Sequence, residues 1–235
     1  MQKTTRFIFY ASLLFNFMAI VYFTPKIIRK LSTPESTVIS ESYWMQRDKY
    51  LNTLPIDTNS IVLIGTSLTH NFEIQETAGP AVKNRGINGD NLIGIINRLK
   101  NVTDAKPKRI ILEAGINDIG DLNHTNDQII TNYKKLLSAI QNTTPETDLI
   151  ITSLFPVADS SERMKTYCSP ETNLQINELN KKLESLSNKY NARFLNFHKS
   201  FTLNNELNSK YSMDGVHLSA EGYNLWQKLI LPYLN

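Results

Sequence analysis

Cysteine is nearly absent from this chain: Cys168 stands alone in 235 residues. No internal disulfide can form, and with no Cys or His near it at ligand spacing it does not read as a zinc site. A lone thiol of this kind commonly serves as a small apolar residue. Long basic runs are missing too. The balance of 25 Lys and Arg against 22 Asp and Glu leaves only +3, and no stripe of charge is present to track a polyphosphate backbone. Nucleic acid is therefore not an expected partner. There is no internal repeat and no low-complexity tract, which argues against solenoid and disordered architectures. No Asp or Glu occurs before Glu35.

That last absence marks the first thirty residues as different in kind. From Phe7 to Phe23 the chain is apolar and aromatic, broken only by Ser12 and Asn16. The run is slightly shorter than the roughly 20 residues of a spanning helix, but Thr24 and Pro25 extend it into the interface. Lys3 and Arg6 precede it as in a signal sequence, yet no convincing small-x-small cleavage site follows. The reading is an uncleaved signal anchor over 1–30, with a cleaved signal peptide as the alternative. Lys26, Arg29 and Lys30 beyond the span nearly balance the positive-inside count. An exported, membrane-anchored domain is the expectation.

Residues 31–59 read as a tether followed by a helix, with Ser32, Thr33 and Pro34 as breakers and Tyr43, Trp44 and Tyr50 as apolar contacts. From residue 60 onward the pattern is regular. Short β-branched runs at 61–64, 81–84, 109–112, 149–152 and 192–195 alternate with helical stretches near 91–99, 127–141, 172–190 and 219–233. Strands alternating with helices predict a parallel sheet covered on both faces, with functional groups gathered beyond the carboxyl ends of the strands.

Four polar clusters sit at those boundaries: Gly65-Thr66-Ser67-Leu68, Gly86-Ile87-Asn88-Gly89-Asp90, Gly115-Ile116-Asn117-Asp118 and Asp214-Gly215-Val216-His217. Acyl transfer through a serine needs a base within reach of the hydroxyl, a group that orients the base, and donors aimed at the developing oxyanion. Ser67 supplies the nucleophile and its own N–H. Gly89 offers a second N–H that a carbonyl oxygen can approach because no Cβ intervenes, and Asn117 a side-chain amide. Asp214, three residues before His217 across a glycine, can fold back onto the imidazole Nδ1 while Nε2 faces the serine. Each feature alone also has a structural use: Ser67 as a helix cap, Gly89 as a tight turn, Asn117 as a loop clamp, His217 packed near the last helix. Their joint appearance in this order favours catalysis.

Other polar residues carry less. His70 is near enough to Ser67 to face the pocket, but a loop histidine is commonly a surface group. His124 and His198 have no acid spaced as Asp214 is from His217. Asp90 and Asp118 read as organisers of the loops bearing Gly89 and Asn117, and the sequence leaves open whether Glu113 enters the site. Asn-x-Thr triplets at Asn101, Asn123 and Asn142 are adequately explained by chance in an Asn-rich chain.

The four clusters resemble the signature blocks of the SGNH (GDSL-like) hydrolases from about Ile61 to the carboxyl terminus. By that resemblance Ser67 matches the block I nucleophile, Gly89 the block II glycine, Asn117 the block III asparagine, and Asp214 and His217 the block V acid and base. The stretch 84–90, with Arg98 and Leu99 downstream, is similar to the branch of platelet-activating-factor acetylhydrolase-like proteins and carbohydrate acetylesterases. The resemblance implies a flavodoxin-like three-layer α/β/α sandwich, here with a five-stranded parallel sheet, and an esterase mechanism without metal or other cofactor. Thr66 departs from the pattern, since the family usually has Asp there.

The expected activity is hydrolysis of short acyl esters, acetyl foremost, on a carbohydrate or similar polyol. The segment from Ala158 to Pro170 is mostly polar, and no long apolar insertion is present to line a tunnel for a fatty chain. A lysophospholipase or an O-acyltransferase of the same fold is the nearest alternative. A membrane-tethered binding module without turnover is the alternative from another class.

Overall fold

The computed structural model describes Met18, Val21, Tyr22, Thr24, residues 35–158 and residues 164–234. The chain divides into two compact units, Met1–Tyr43 and Trp44–Asn235. The apolar run at 7–23 lies outside the described residues except for Met18, Val21 and Tyr22, which are helical and exposed. Among the described residues no helix is long and apolar enough to cross a membrane.

In chain order the principal elements are α1 (Glu35–Leu51), β1 (Ile61–Gly65), α2 (Ser67–His70), α3 (Gln75–Ala78), β2 (Val82–Gly86), α4 (Leu92–Arg98), α5 (Lys100–Thr103), β3 (Arg109–Glu113), α6 (Ile116–Gly120) and α7 (Asn126–Thr143). They continue with β4 (Asp148–Thr152), α8 (Pro170–Lys189), β5 (Arg193–Leu195), α9 (His198–Phe201), the short pair β6 (Thr202–Leu203) and β7 (Glu206–Leu207), and α10 (Ala220–Ile230). The five-stranded sheet has the order β2-β1-β3-β4-β5 with every pairing parallel.

Alternation along the strands creates two cores. Val62, Ile64, Ile110, Leu112 and Ile151 face one side and pack with Leu92 and Ile95 of α4, Tyr133 and Leu137 of α7, and Ile176 and Leu183 of α8. Ile61, Leu63, Ile111 and Ile150 face the other and pack with Leu68 of α2, Phe201 of α9, and Trp226 and Ile230 of α10. Period-two side-chain placement within near-continuous apolar runs is what a sheet buried on both faces requires. The α/β class, the five parallel strands and the flanking helices agree with the sequence expectation.

Helix starts are set by local chemistry. Thr125 and Gln128 form a reciprocal capping box on α7, and Ser169 caps α8 with Pro170 at its first position. The strand order reverses between β1 and β3, which run out from the centre to opposite connections. A crevice opens at the carboxyl ends of the strands at such a point. The turns after β1, β2 and β3 all emerge there.

Candidate active site

Ser67 is the first residue of α2, directly beyond buried β1. Its N–H therefore belongs to the helix-terminal set that has no intrahelical acceptor. The turn is tight because Gly65 has no side chain: a Cβ there would lie 2.2 Å from Thr69 Oγ1 and 2.6 Å from the Glu113 carbonyl oxygen. Behind the turn sits Glu113, the last residue of β3 and 4% exposed. Its Oε2 accepts from the Thr66 N–H at 3.2 Å, the Thr66 hydroxyl at 3.0 Å and the Thr69 hydroxyl at 3.0 Å. Burial pushes the Glu113 carboxyl up, and these donors only partly offset it.

Asp214 and His217 come from the loop before α10. The Asp214 Oδ1 accepts from the N–H groups of Val216 at 3.0 Å and His217 at 2.8 Å, while Oδ2 lies 2.7 Å from His217 Nδ1. His217 Nε2 lies 2.9 Å from Ser67 Oγ, across 150 residues of sequence. Burial draws the Asp214 carboxyl upward, but the hydrogen bonds from His217 and Val216 outweigh it and hold it below the usual carboxylate value. An ionised carboxylate only accepts, so His217 Nδ1 donates to Asp214 and Nε2 is the ring nitrogen turned to the Ser67 hydroxyl.

The Gly89 backbone has φ +72°, a left-handed conformation that favours glycine. Nothing lies within 4 Å of where its Cβ would be, so within the protein the glycine answers to backbone conformation, and the space beside its N–H is open. Asp90 fixes this loop. It is 1% exposed, accepts from Trp44 Nε1 at 3.0 Å and Asn91 N–H at 3.0 Å, and pairs with buried Arg98 at 2.7 Å. Arg98 Nη2 also reaches the Gly65 carbonyl at 3.3 Å, tying the Gly89 loop to the end of β1. The side-chain amide of Asn117 donates to the Asp90 carbonyl at 2.6 Å. An amide has two N–H donors, so that bond orients the group and leaves one donor for a ligand. Asp118 accepts from the Leu92 N–H at 3.2 Å and lies 3.7 Å from His124 Nδ1.

Ser67, Gly89, Asn117 and His217 line one cavity of about 370 Å³, with Asn71, Asn88, Met164, Tyr167, Met213 and Val216. All five residues anticipated from sequence thus converge, Asp214 through its bond to His217. Sequence reasoning passed over several. Asn71 stands one helical turn after Ser67, the spacing that places two side chains on one face. Met164 and Tyr167 bring apolar surface from a segment that reads as mostly polar. Glu113, which the sequence leaves open, does not line the cavity and reaches the site through Thr66 and Thr69. His70 contacts the Gly86 carbonyl at 3.2 Å and lies outside this cavity, as does His198, whose Nδ1 meets the Leu154 carbonyl at 3.0 Å. Among the described residues no cluster of His, Cys, Asp and Glu could hold a metal ion.

The sequence profile of the GDSL-like Lipase/Acylhydrolase family matches residues 66–225, the span from Thr66 through most of α10. No curated protein matches the sequence. Solved structures share the fold. A Streptococcus pneumonia protein provisionally named a platelet activating factor superposes with a TM-score of 0.71 at 22% identity, over 91% of this chain and 99% of that one. A GDSL-like lipase from Bacteroides thetaiotaomicron gives 0.69 at 22%, over 81% and 96%. A carbohydrate acetylesterase family member from Sinorhizobium meliloti gives 0.60 at 19%, over 74% and 97%.

Proposed function

Given that this chain belongs to the GDSL-like lipase/acylhydrolase family and is a hydrolase, we propose that it is a serine esterase in which Ser67, His217 and Asp214 form the triad. Ser67 N–H, Gly89 N–H and the Asn117 amide form the oxyanion hole. The observation that carries the reading is the continuous chain from Asp214 Oδ2 through His217 to Ser67 Oγ, with steps of 2.7 and 2.9 Å. Ser67 Oγ bonds to the ester carbonyl carbon as its proton passes to His217 Nε2. The tetrahedral oxyanion is held by the three donors, and collapse breaks the C–O bond to the alcohol, which leaves with the His217 proton. Water, deprotonated by His217, then cleaves the acyl-enzyme and regenerates Ser67.

We assign the physiological acyl group as acetyl, on a carbohydrate or similar polyol. Two features support this: the modest cavity, which exposes polar Asn71 and Asn88 beside the nucleophile, and the fold shared with proteins named as carbohydrate acetylesterase and acetyl xylan esterase. A lysophospholipid is the second reading, on the strength of Met164, Tyr167 and Met213 at the same cavity. A series of p-nitrophenyl esters separates them. Each buried CH₂ yields about 0.8 kcal/mol where a pocket exists to receive it, so catalytic efficiency peaks at acetyl or propionyl in the first reading and at octanoyl or longer in the second. Residues 1–30 are proposed as the anchor, 31–59 as tether and leading helix, and 60–235 as the hydrolase domain held outside the cytoplasm. Resistance of the membrane-bound protein to carbonate extraction tests the anchor, and recovery of a shortened soluble form would replace it with a cleaved signal.

A further inference from the structure

A second cavity, of about 400 Å³, lies at the β2 edge of the sheet, between the end of α1 and the residues following α2. Its charge is unusual. Arg47, Lys83, Arg85 and His70 line it, with Glu73 as the one carboxylate. Arg85 is 4% exposed, and its guanidinium donates only to neutral carbonyls: Asn84 at 3.0 Å, Leu54 at 3.1 Å and Pro55 at 3.3 Å. Neither Arg47 nor Arg85 forms an ion pair among the described residues, and Glu73 instead accepts from Gln75 Nε2 at 3.3 Å. Three polar atoms of the lining residues, Arg47 Nε, Arg85 Nε and Gln75 Oε1, are buried without a hydrogen-bond partner. Guanidinium groups are planar forks matched to carboxylate and phosphate, and a buried one without a counter-charge is costly. Burial first, and then repulsion from Arg47, draws Arg85 down to about 10. A bound anion would relieve both.

We propose that Arg47 and Arg85 form a subsite for the carboxylate or phosphate group of an anionic polyol. The two cavities lie at the two ends of α2. Ser67 opens α2 and lines the first cavity, while His70 closes α2 and lines the second, a rise of about 4.5 Å along the helix. A substrate crossing α2 presents its ester to Ser67 and its acidic substituent to the arginines. This places an acidic sugar or sugar phosphate ahead of a neutral one and rests on the esterase reading above. The binding test does not depend on turnover.

Calorimetric titration of the full chain with inorganic phosphate, and separately with glucuronate, at constant ionic strength should show saturable binding. Arg47→Gln should weaken it by at least about tenfold, as expected for loss of one charge-assisted contact. Arg85→Lys keeps the charge but loses the fork, and should weaken it less. Because Arg85 also braces the Leu54-Pro55 turn, Arg47→Gln carries the decision. No saturable binding of either anion to the wild-type chain, or equal binding by Arg47→Gln, overturns the subsite. The source of the anion is read from catalytic efficiency on acetylated glucuronate relative to acetylated glucose. A fall of that ratio in Arg47→Gln assigns the site to the substrate's own acid, whereas an unchanged ratio with binding lost assigns it to a free anion.

Discussion

Glu113 accepts both the N–H and the hydroxyl of Thr66, at 3.2 and 3.0 Å, immediately behind the Ser67 turn. The position where the family usually carries Asp therefore holds a donor facing a buried carboxylate. Two carboxylates in that space would repel, and one would have to remain protonated. Thr66→Asp should lower ester turnover by at least about tenfold, a barrier rise of about 1.4 kcal/mol, and the Thr66→Asp/Glu113→Gln double variant should recover most of it. Equal losses in the single and double variants would show that the Thr66–Glu113 contact does not shape the turn.

The same carboxyl makes stability depend on pH. Burial raises Glu113 above its unfolded value, so the folded state binds more protons between the two values. Its contribution is fully present below the unfolded value and is lost as pH rises through the folded one. Glu113→Gln should therefore gain on wild type as pH rises above the ordinary carboxylate range. Asp214 runs the other way, because it is held low. Its contribution is present above the ordinary value and lost as pH falls through the folded one. Urea unfolding of wild type, Glu113→Gln and Asp214→Asn across that range checks both signs.

Ser67→Ala or His217→Ala should reduce turnover of p-nitrophenyl acetate by several orders of magnitude, on the order of 10⁴ or more as elsewhere when triad members are removed. Neither side chain belongs to the two cores, so circular dichroism and the unfolding midpoint should change little. A purified Ser67→Ala protein with near-wild-type turnover would remove the mechanism.

Asn117→Ala should cost about 10²- to 10³-fold in kcat if the free amide hydrogen serves the oxyanion. The bond to the Asp90 carbonyl complicates this, since its loss also loosens the Gly89 loop. Asn117→Asp keeps the size but, ionised, can donate neither to the oxyanion nor to the Asp90 carbonyl. The two roles part on the unfolding midpoint, which falls with loss of the clamp, whereas loss of the oxyanion donor lowers kcat; an unchanged kcat in Asn117→Ala would remove Asn117 from the oxyanion hole.

The sequence by itself determined the class of fold. The five short β-branched runs and the intervening helical stretches can satisfy their backbone and bury their side chains in few ways, and a parallel sheet covered on both faces is the one found. It also determined the local half of the site. Asp214 and His217 are three residues apart, so their pairing is a property of one loop, and Ser67 follows a strand whose end must open at the sheet edge. What the tertiary structure alone decided is contact between segments distant in sequence. Ser67 and His217 meet across 150 residues, and Glu113 at the end of β3 becomes the clamp behind the nucleophile. Arg98 binds Asp90 and the β1 terminus together, and Arg47 from α1 comes to line the same cavity as Arg85 from β2. Periodicity and local spacing report which face a residue occupies. They carry no information on which distant residue occupies the facing position, because that is fixed by the strand order and by the packing of helices over it.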